Sequence, residues 1–222
     1  WARRAGSGTL AWVDHDLTRD AKLAALVPNR SATFRGPTVT VSEPRDLAEV
    51  VARFLPEGVP PSAKPAPAVV ARRVGKGRVV YFASGVDAAL WSYAYPYQRR
   101  VFDRAVSWAA SAPFPIRVDA PMAVQSTFFE QDNAEGRRAV IHLFNEVDTA
   151  AHHGKPGEDV PLREETIPIH GIRVRFAGPA PARFHVEPGA IEIRGRRDGD
   201  SVVVELPPLE RHAMVVAEWP AR

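Results

Sequence analysis

The sequence predicts a partial, layered α/β domain over residues 1–112 and an all-β antiparallel sandwich over residues 113–222. Three observations carry this. A nearly continuous apolar run, Val79, Val80, Tyr81 and Phe82, is followed by an amphipathic helical pattern over 98–110. Pro113 and Pro115 then stop helical structure, because proline lacks the N–H that a helix ladder needs. Beyond them the apolar residues recur every second position, as in strands with one buried face.

Along the first half, TLAWV at 9–13 reads as a short buried strand and Asp14–Asp20 as its polar exit. Leu17, Leu23, Leu26 and Val27 share a helical face that Pro28 ends. TVTVSEP at 38–44 alternates and turns at Pro44. In DLAEVVARFL, residues Leu47, Val50, Val51, Phe54 and Leu55 fall at helical spacings behind Asp46, so a helix is expected there. The stretch 56–67, with five prolines and one glycine, is expected to be an extended surface loop. AVVARRV and RVVYFAS follow as two strands joined by Gly75-Lys76-Gly77, where glycine relieves a backbone that turns through positive φ. The apolar run at 79–82 suits a strand covered on both faces. An aromatic-rich loop then leads into a helix from Gln98 to Ala110. Its face of Val101, Phe102, Ala105, Trp108 and Ala109 opposes Arg99, Asp103, Arg104 and Ser107.

In the second half, AVQSTFFEQ and RRAVIHLFNE are separated by the turn-rich DNAEG and form an antiparallel pair. A polar loop runs from Glu146 to Glu165, and Gly171 resets the alternation of Ile167, Ile169, Ile172, Val174 and Phe176. RFHVEP, AIEIRG, SVVVELP and HAMVVAEW supply four more short strands. Seven or eight such strands with no helical segment argue for two packed sheets.

A chain of 222 residues can bury one large or two small cores, and the change of period favours two. With no cysteine, disulfides, thiolate nucleophiles and cysteine zinc sites are excluded. The net charge of +3 is uneven: residues 1–110 hold 16 Lys/Arg against 9 Asp/Glu, and residues 111–222 hold 13 against 17. The arginines are scattered rather than clustered, so nucleic acid is not an expected partner. No apolar run approaches the roughly 20 residues that cross a bilayer, and no basic start precedes an apolar stretch. A soluble chain without a signal peptide is therefore expected, with its compartment open.

Two groups of residues stand out as candidate sites. Asp14-His15-Asp16 follows an apolar strand, where α/β proteins place binding residues, and a histidine between carboxylates suits a base or half of a metal site; the same residues also make a good turn and helix cap. Trp91, Tyr93, Tyr95 and Tyr97 form the densest aromatic cluster, suited to stacking on sugar, to sealing a protein interface or to packing beneath the next helix. Other features carry less. Gly75-x-Gly77 lacks phosphate-loop spacing. His142, Asn145, Glu146, Asp148, His152 and His153 follow neither zinc nor calcium spacing, so no metal and no cofactor is expected. His185 is out of phase with Phe184 and Val186 and is expected at water or a sheet edge. Glu130, Glu146, Glu187, Glu192 and Glu205 include no pair that the pattern selects for glycosidase chemistry.

GKGRVVYFASG (75–85), YPYQRRVFDRAVSWAA (95–110), PIRVDAP (115–121), RRAVIHLFNE (137–146), PIHGIRVRF (168–176) and ELPPLERHAMVVAE (205–218) resemble the C-terminal region of glycoside-hydrolase-like proteins related to the β-galactosidases. The resemblance implies an amidotransferase-like (flavodoxin-like) trimerisation domain, incomplete at its N-terminal side, followed by a β-sandwich. In that family the sugar-cleaving carboxylates belong to a barrel of about 250 residues, so it carries no catalytic residue over to this chain. It implies a non-catalytic accessory or oligomerisation region of a carbohydrate-active protein. Partners would be other domains of the same polypeptide or identical subunits, and carbohydrate is a further candidate. Two alternatives stand beside it: a carbohydrate-binding module, and a hydrolase working through Asp14, His15 and Asp16.

Overall fold

The computed structural model describes residues 3–4, 7–26, 30–45, 47–55, 64–93, 95–110, 112–134, 136–147, 151–152, 159–160 and 166–220. The chain divides into two compact units, Trp1–Pro113 and Phe114–Arg222, each around its own apolar cluster. No helix among the described residues is long and apolar enough to cross a membrane.

The first unit contains strands β1 (Arg3–Arg4), β2 (Ser7–Trp12), β3 (Ser31–Arg35), β4 (Thr38–Val39), β5 (Ala48–Leu55), β6 (Pro67–Val74) and β7 (Gly77–Phe82). Its helices are α1 (Ala21–Leu26), α2 (Val86–Tyr93) and α3 (Pro96–Ala109). Five strands form one sheet in the order β3-β2-β5-β6-β7, and every neighbouring pair is antiparallel. This overturns the expected layered α/β domain of amidotransferase type. A parallel sheet needs a crossover, usually helical, between successive strands, whereas here β5, β6 and β7 follow one another as antiparallel neighbours.

Three further expectations are corrected. Within DLAEVVARFL, Ala48–Leu55 is strand β5, not a helix. Its pairing with β6 shifts register between Val50 and Ala52, and this irregularity puts Val51 and Ala52 both in the interior and breaks the period of two. The run at 79–82 is not covered on both faces. β7 ends the sheet, so Val79 and Tyr81 are exposed while Val80 and Phe82 pack on the core. Residues 86–93 form α2 where a loop was expected, in keeping with the helix propensity of Ala88, Ala89 and Leu90.

Local chemistry fixes the remaining elements. Gly75 turns the β6–β7 hairpin at φ 56, a conformation costly for residues with a Cβ. Asp20 caps α1, its Oδ1 accepting from the Leu23 N–H at 2.8 Å. Pro96 opens α3, and the buried Gln98 accepts from the Tyr95 N–H through Oε1 at 3.3 Å. Leu23, Val86, Val101 and Ala105 bring the three helices into one cluster with Leu10, Trp12, Phe34, Val51 and Val69 of the sheet. Each fully buried Leu or Val contributes about 1.5–3 kcal/mol.

The second unit is a sandwich. Its strands are β8 (Ile116–Asp119), β9 (Val124–Asn133), β10 (Gly136–Asn145), β11 (Ala151–His152), β12 (Asp159–Val160), β13 (Arg173–Ala177), β14 (Arg183–Glu187), β15 (Ile191–Glu192), β16 (Arg196–Asp198), β17 (Ser201–Glu205) and β18 (His212–Pro220). One sheet runs β15-β14-β18-β10-β9 and the other β16-β17-β13-β8, while β11 and β12 pair with each other. The inward residues of both sheets, among them Ile141, Leu143, Val215, Val174, Phe176 and Val204, make one core. β9 and β10 form the expected antiparallel pair. β9, ten residues long, lies at the end of its sheet with Phe128 and Phe129 exposed.

Candidate functional site

Strand β2 ends at Trp12, and the segment after it sends Asp14, His15 and Asp16 in different directions. His15 is buried. Its Nδ1 accepts from the Leu17 N–H at 3.0 Å, which places the ring proton on Nε2, 3.0 Å from Glu49 Oε2. Both ring nitrogens are thus engaged. Asp14 instead receives Arg19 through two bonds of 2.9 Å, and that guanidinium holds its carboxyl below the ordinary range. Asp16 meets the same arginine at 3.0 Å. The three neighbours in sequence therefore do not converge on one reacting point. The turn is tied instead by Thr18, whose Oγ1 donates toward the Val13 and His15 carbonyls and accepts from the His15 N–H.

A second ionic cluster lies alongside, which the sequence did not single out. Arg100 of α3 binds Asp20 at 2.6 Å and Asp103 at 2.6 Å. Its hydrogen bond holds the Asp20 carboxyl down at about 2. Arg104 donates to the Asp16 and Leu17 carbonyls. Glu43, gripped by Arg53 at 2.6 Å, is likewise drawn to about 2, and the Arg175 guanidinium lowers Asp198.

The aromatic candidates part company. Trp91, on α2, is 92% exposed. Tyr95 and Tyr97 stack with centroids 5.5 Å apart and planes 10° from parallel. Tyr97 also packs on the core and bonds Thr33 Oγ1 at 3.0 Å. Tyr95 keeps an exposed ring. Tyr93 ends α2, and its side chain lies outside the described residues.

In the sandwich, Asn145 is a clamp rather than a ligand: its Nδ2 donates to the carbonyls of Ile167, Leu209 and Glu210. His142 meets His212 with Nδ1 to Nε2 at 3.2 Å, a pairing from distant strands that spacing could not reveal. Asp148, His153 and the His152 side chain lie outside the described residues. No group of three or more metal donors converges among the described residues. His185, expected at water or a sheet edge, has a side chain 12% exposed with Nε2 3.7 Å from Glu187, on the strand next to the end of its sheet. Of the other carboxylates, Glu130 meets Arg137 at 3.1 Å and Glu192 meets Arg183 at 3.0 Å.

No family model and no curated protein matches this chain. Among solved structures it is similar to α-L-fucosidase isoenzyme 2 from Paenibacillus thiaminolyticus, with a TM-score of 0.60 and 18% identity, over 98% of this chain and 32% of that one. The chain thus spans about a third of the length of that protein, and the likeness is one of fold.

Proposed function

We propose that this chain is a non-catalytic accessory region of a carbohydrate-active protein. The observation that carries the reading is the likeness of 98% of this chain to 32% of an α-L-fucosidase. The state of the acids supports it. Glycoside hydrolysis uses a carboxyl kept protonated near neutral pH and a second carboxylate facing it across the scissile bond. Asp14, Asp20, Glu43 and Asp198 are all shifted downward by arginine, the opposite direction from a general acid. The test is turnover of a broad panel of aryl glycosides by the purified chain. Inertness is expected, whereas turnover abolished by His15→Ala would overturn the reading in favour of a hydrolase at the Asp14–Asp16 segment. Assembly is read by sedimentation: a dimer or trimer that dissociates on Trp91→Ala and Tyr95→Ala supports an oligomerisation role, and a strict monomer at high micromolar concentration removes it.

One observation favours a carbohydrate-binding role as second reading. A tryptophan ring with 92% of its surface in water is a platform for the apolar face of a sugar, which it binds with little loss of side-chain entropy. Oligosaccharides would then quench the intrinsic fluorescence saturably, and Trp91→Ala would abolish the response. Unchanged emission at high sugar concentration would remove this reading while leaving the accessory role standing.

A further inference from the structure

A cleft of about 640 Å³ opens in the sandwich, lined from both sheets by Arg183, Phe184, Glu192, Arg194, Arg197 and Val202 among others. Phe184 and Val202, nearly buried, belong to its apolar floor. The backbone at Gly195 lies against that floor, so that a Cβ there would stand 2.5 Å from Val202 Cγ1 and 2.8 Å from Phe184 Cε2. Only glycine allows this approach, and Arg194 and Arg197 line the same cleft.

The charges are distributed unevenly. Arg183 is satisfied by Glu192 at 3.0 Å and lies 3.8 Å from Glu218. The Arg194 and Arg197 side chains have no ion-pair or hydrogen-bond partner among the described residues. Three guanidiniums against one carboxylate give the lining 3 − 1 = +2, on a half of the chain that holds 13 Lys/Arg against 17 Asp/Glu, or 13 − 17 = −4. Positive charge concentrated in a concave, partly apolar site raises the local concentration of anions.

We infer that this cleft binds a sugar acid, a saccharide bearing a single carboxylate. The planar fork of arginine matches a carboxylate bidentately, the apolar floor suits the C–H face of a ring, and Glu192 is an acceptor for hydroxyl groups. Glu192 also disfavours a doubly charged phosphate at the same rim, by like-charge repulsion. That the anion is carried on a sugar rests on the proposed function; that the cleft takes an anion rests on the arginines alone.

The experiment is an NMR titration of the whole chain with D-glucuronate, D-glucose and inorganic sulfate. Saturable shifts of the amides at 183–184 and 192–197 are expected with glucuronate and none with glucose. Arg194→Gln and Arg197→Gln should each weaken binding about 10-fold or more, as expected for loss of a hydrogen bond between charged groups. Arg196→Gln, whose side chain does not line the cleft, should leave it unchanged. Arg197 sits opposite Val202 on β16, a strand that ends its sheet, where an inward charge also discourages edge pairing. Sedimentation of Arg197→Gln separates that effect, since a variant that keeps the unsubstituted chain's oligomeric state and still loses binding supports recognition. Sulfate binding as tightly as glucuronate would overturn the sugar acid and leave a simple anion patch. Glucuronate that perturbs no amide of the cleft, while neutral oligosaccharides still quench Trp91, would overturn the cleft and leave the proposed function intact.

Discussion

Asp20 carries two tasks that substitution can separate. It caps α1 and it receives Arg100. Its side chain is 13% exposed and its carboxyl lies near 2 in place of the usual 3.8, so the folded state gains on the order of 2 kcal/mol at neutral pH. A lowered acid pKa means that this gain is complete above the unfolded value near 4 and is lost as pH falls toward 2. Asp20→Asn, which keeps the cap, should therefore cost about 1–2 kcal/mol in urea denaturation at pH 7, and the difference should vanish toward pH 2. Asp20→Ala should cost about 1 kcal/mol more through the lost cap. His15 makes a similar point about burial. His15→Ala strands the Leu17 N–H and opens a hole beside Trp108, whose ring lies 6.0 Å away, at a cost of about 1–3 kcal/mol. The segment Asp14–Asp16 was visible in the sequence as three polar residues. That Arg19 would claim two of them and Glu49 the third was not, because Glu49 arrives from another strand.

Elements were legible where one periodicity dominated. Strands β10, β13 and β14 alternate, and α3 holds its apolar side at helical spacing. β5 misled because Leu47, Val50, Val51, Phe54 and Leu55 fit a helix, while the register shift after Val50 hides the strand's own period. α2 was obscured by its aromatics, although the β-to-α junction before it is tightly specified. At Gly85 a Cβ would collide with the Arg35 carbonyl, and the Arg35 N–H donates to the Gly85 carbonyl at 3.1 Å. Gly85→Ala should destabilise the first unit by about 3 kcal/mol as β3 and α2 are forced apart. Thermal denaturation of that variant should show the shift, and an unchanged midpoint would mean the junction relaxes freely. The sugar-acid cleft was illegible for a different reason: Arg183 comes from β14 while Arg194 and Arg197 flank Gly195, and only folding gathers them.

At the scale of the molecule, two separate cores predict two separate losses. Leu10 and Ile141 are both fully buried, one in each cluster. Leu10→Ala and Ile141→Ala should each cost about 2–5 kcal/mol, and calorimetry should show each variant lowering a different transition. A single transition shifted equally by both would mean that the units melt as one, against the usual independence of domains with their own cores. The sequence changes period at Pro113 and Pro115. It did not reveal that strand pairing in the first unit is antiparallel, because strand direction is decided by which segments meet in space.

Among the described residues no strand pairs with the outer side of β9, which bears on the handling of this protein. Ten residues of extended chain end a sheet there, and Phe128 and Phe129, pointing to opposite faces, remain 48% and 56% in water. An edge ladder that no described strand covers, flanked by phenylalanines, is a template on which a second molecule extends the sheet, and repetition of that step seeds fibrils. Thr127→Lys, placing a gatekeeper charge between neighbouring chains, should lengthen the lag before thioflavin fluorescence rises without moving the melting midpoint.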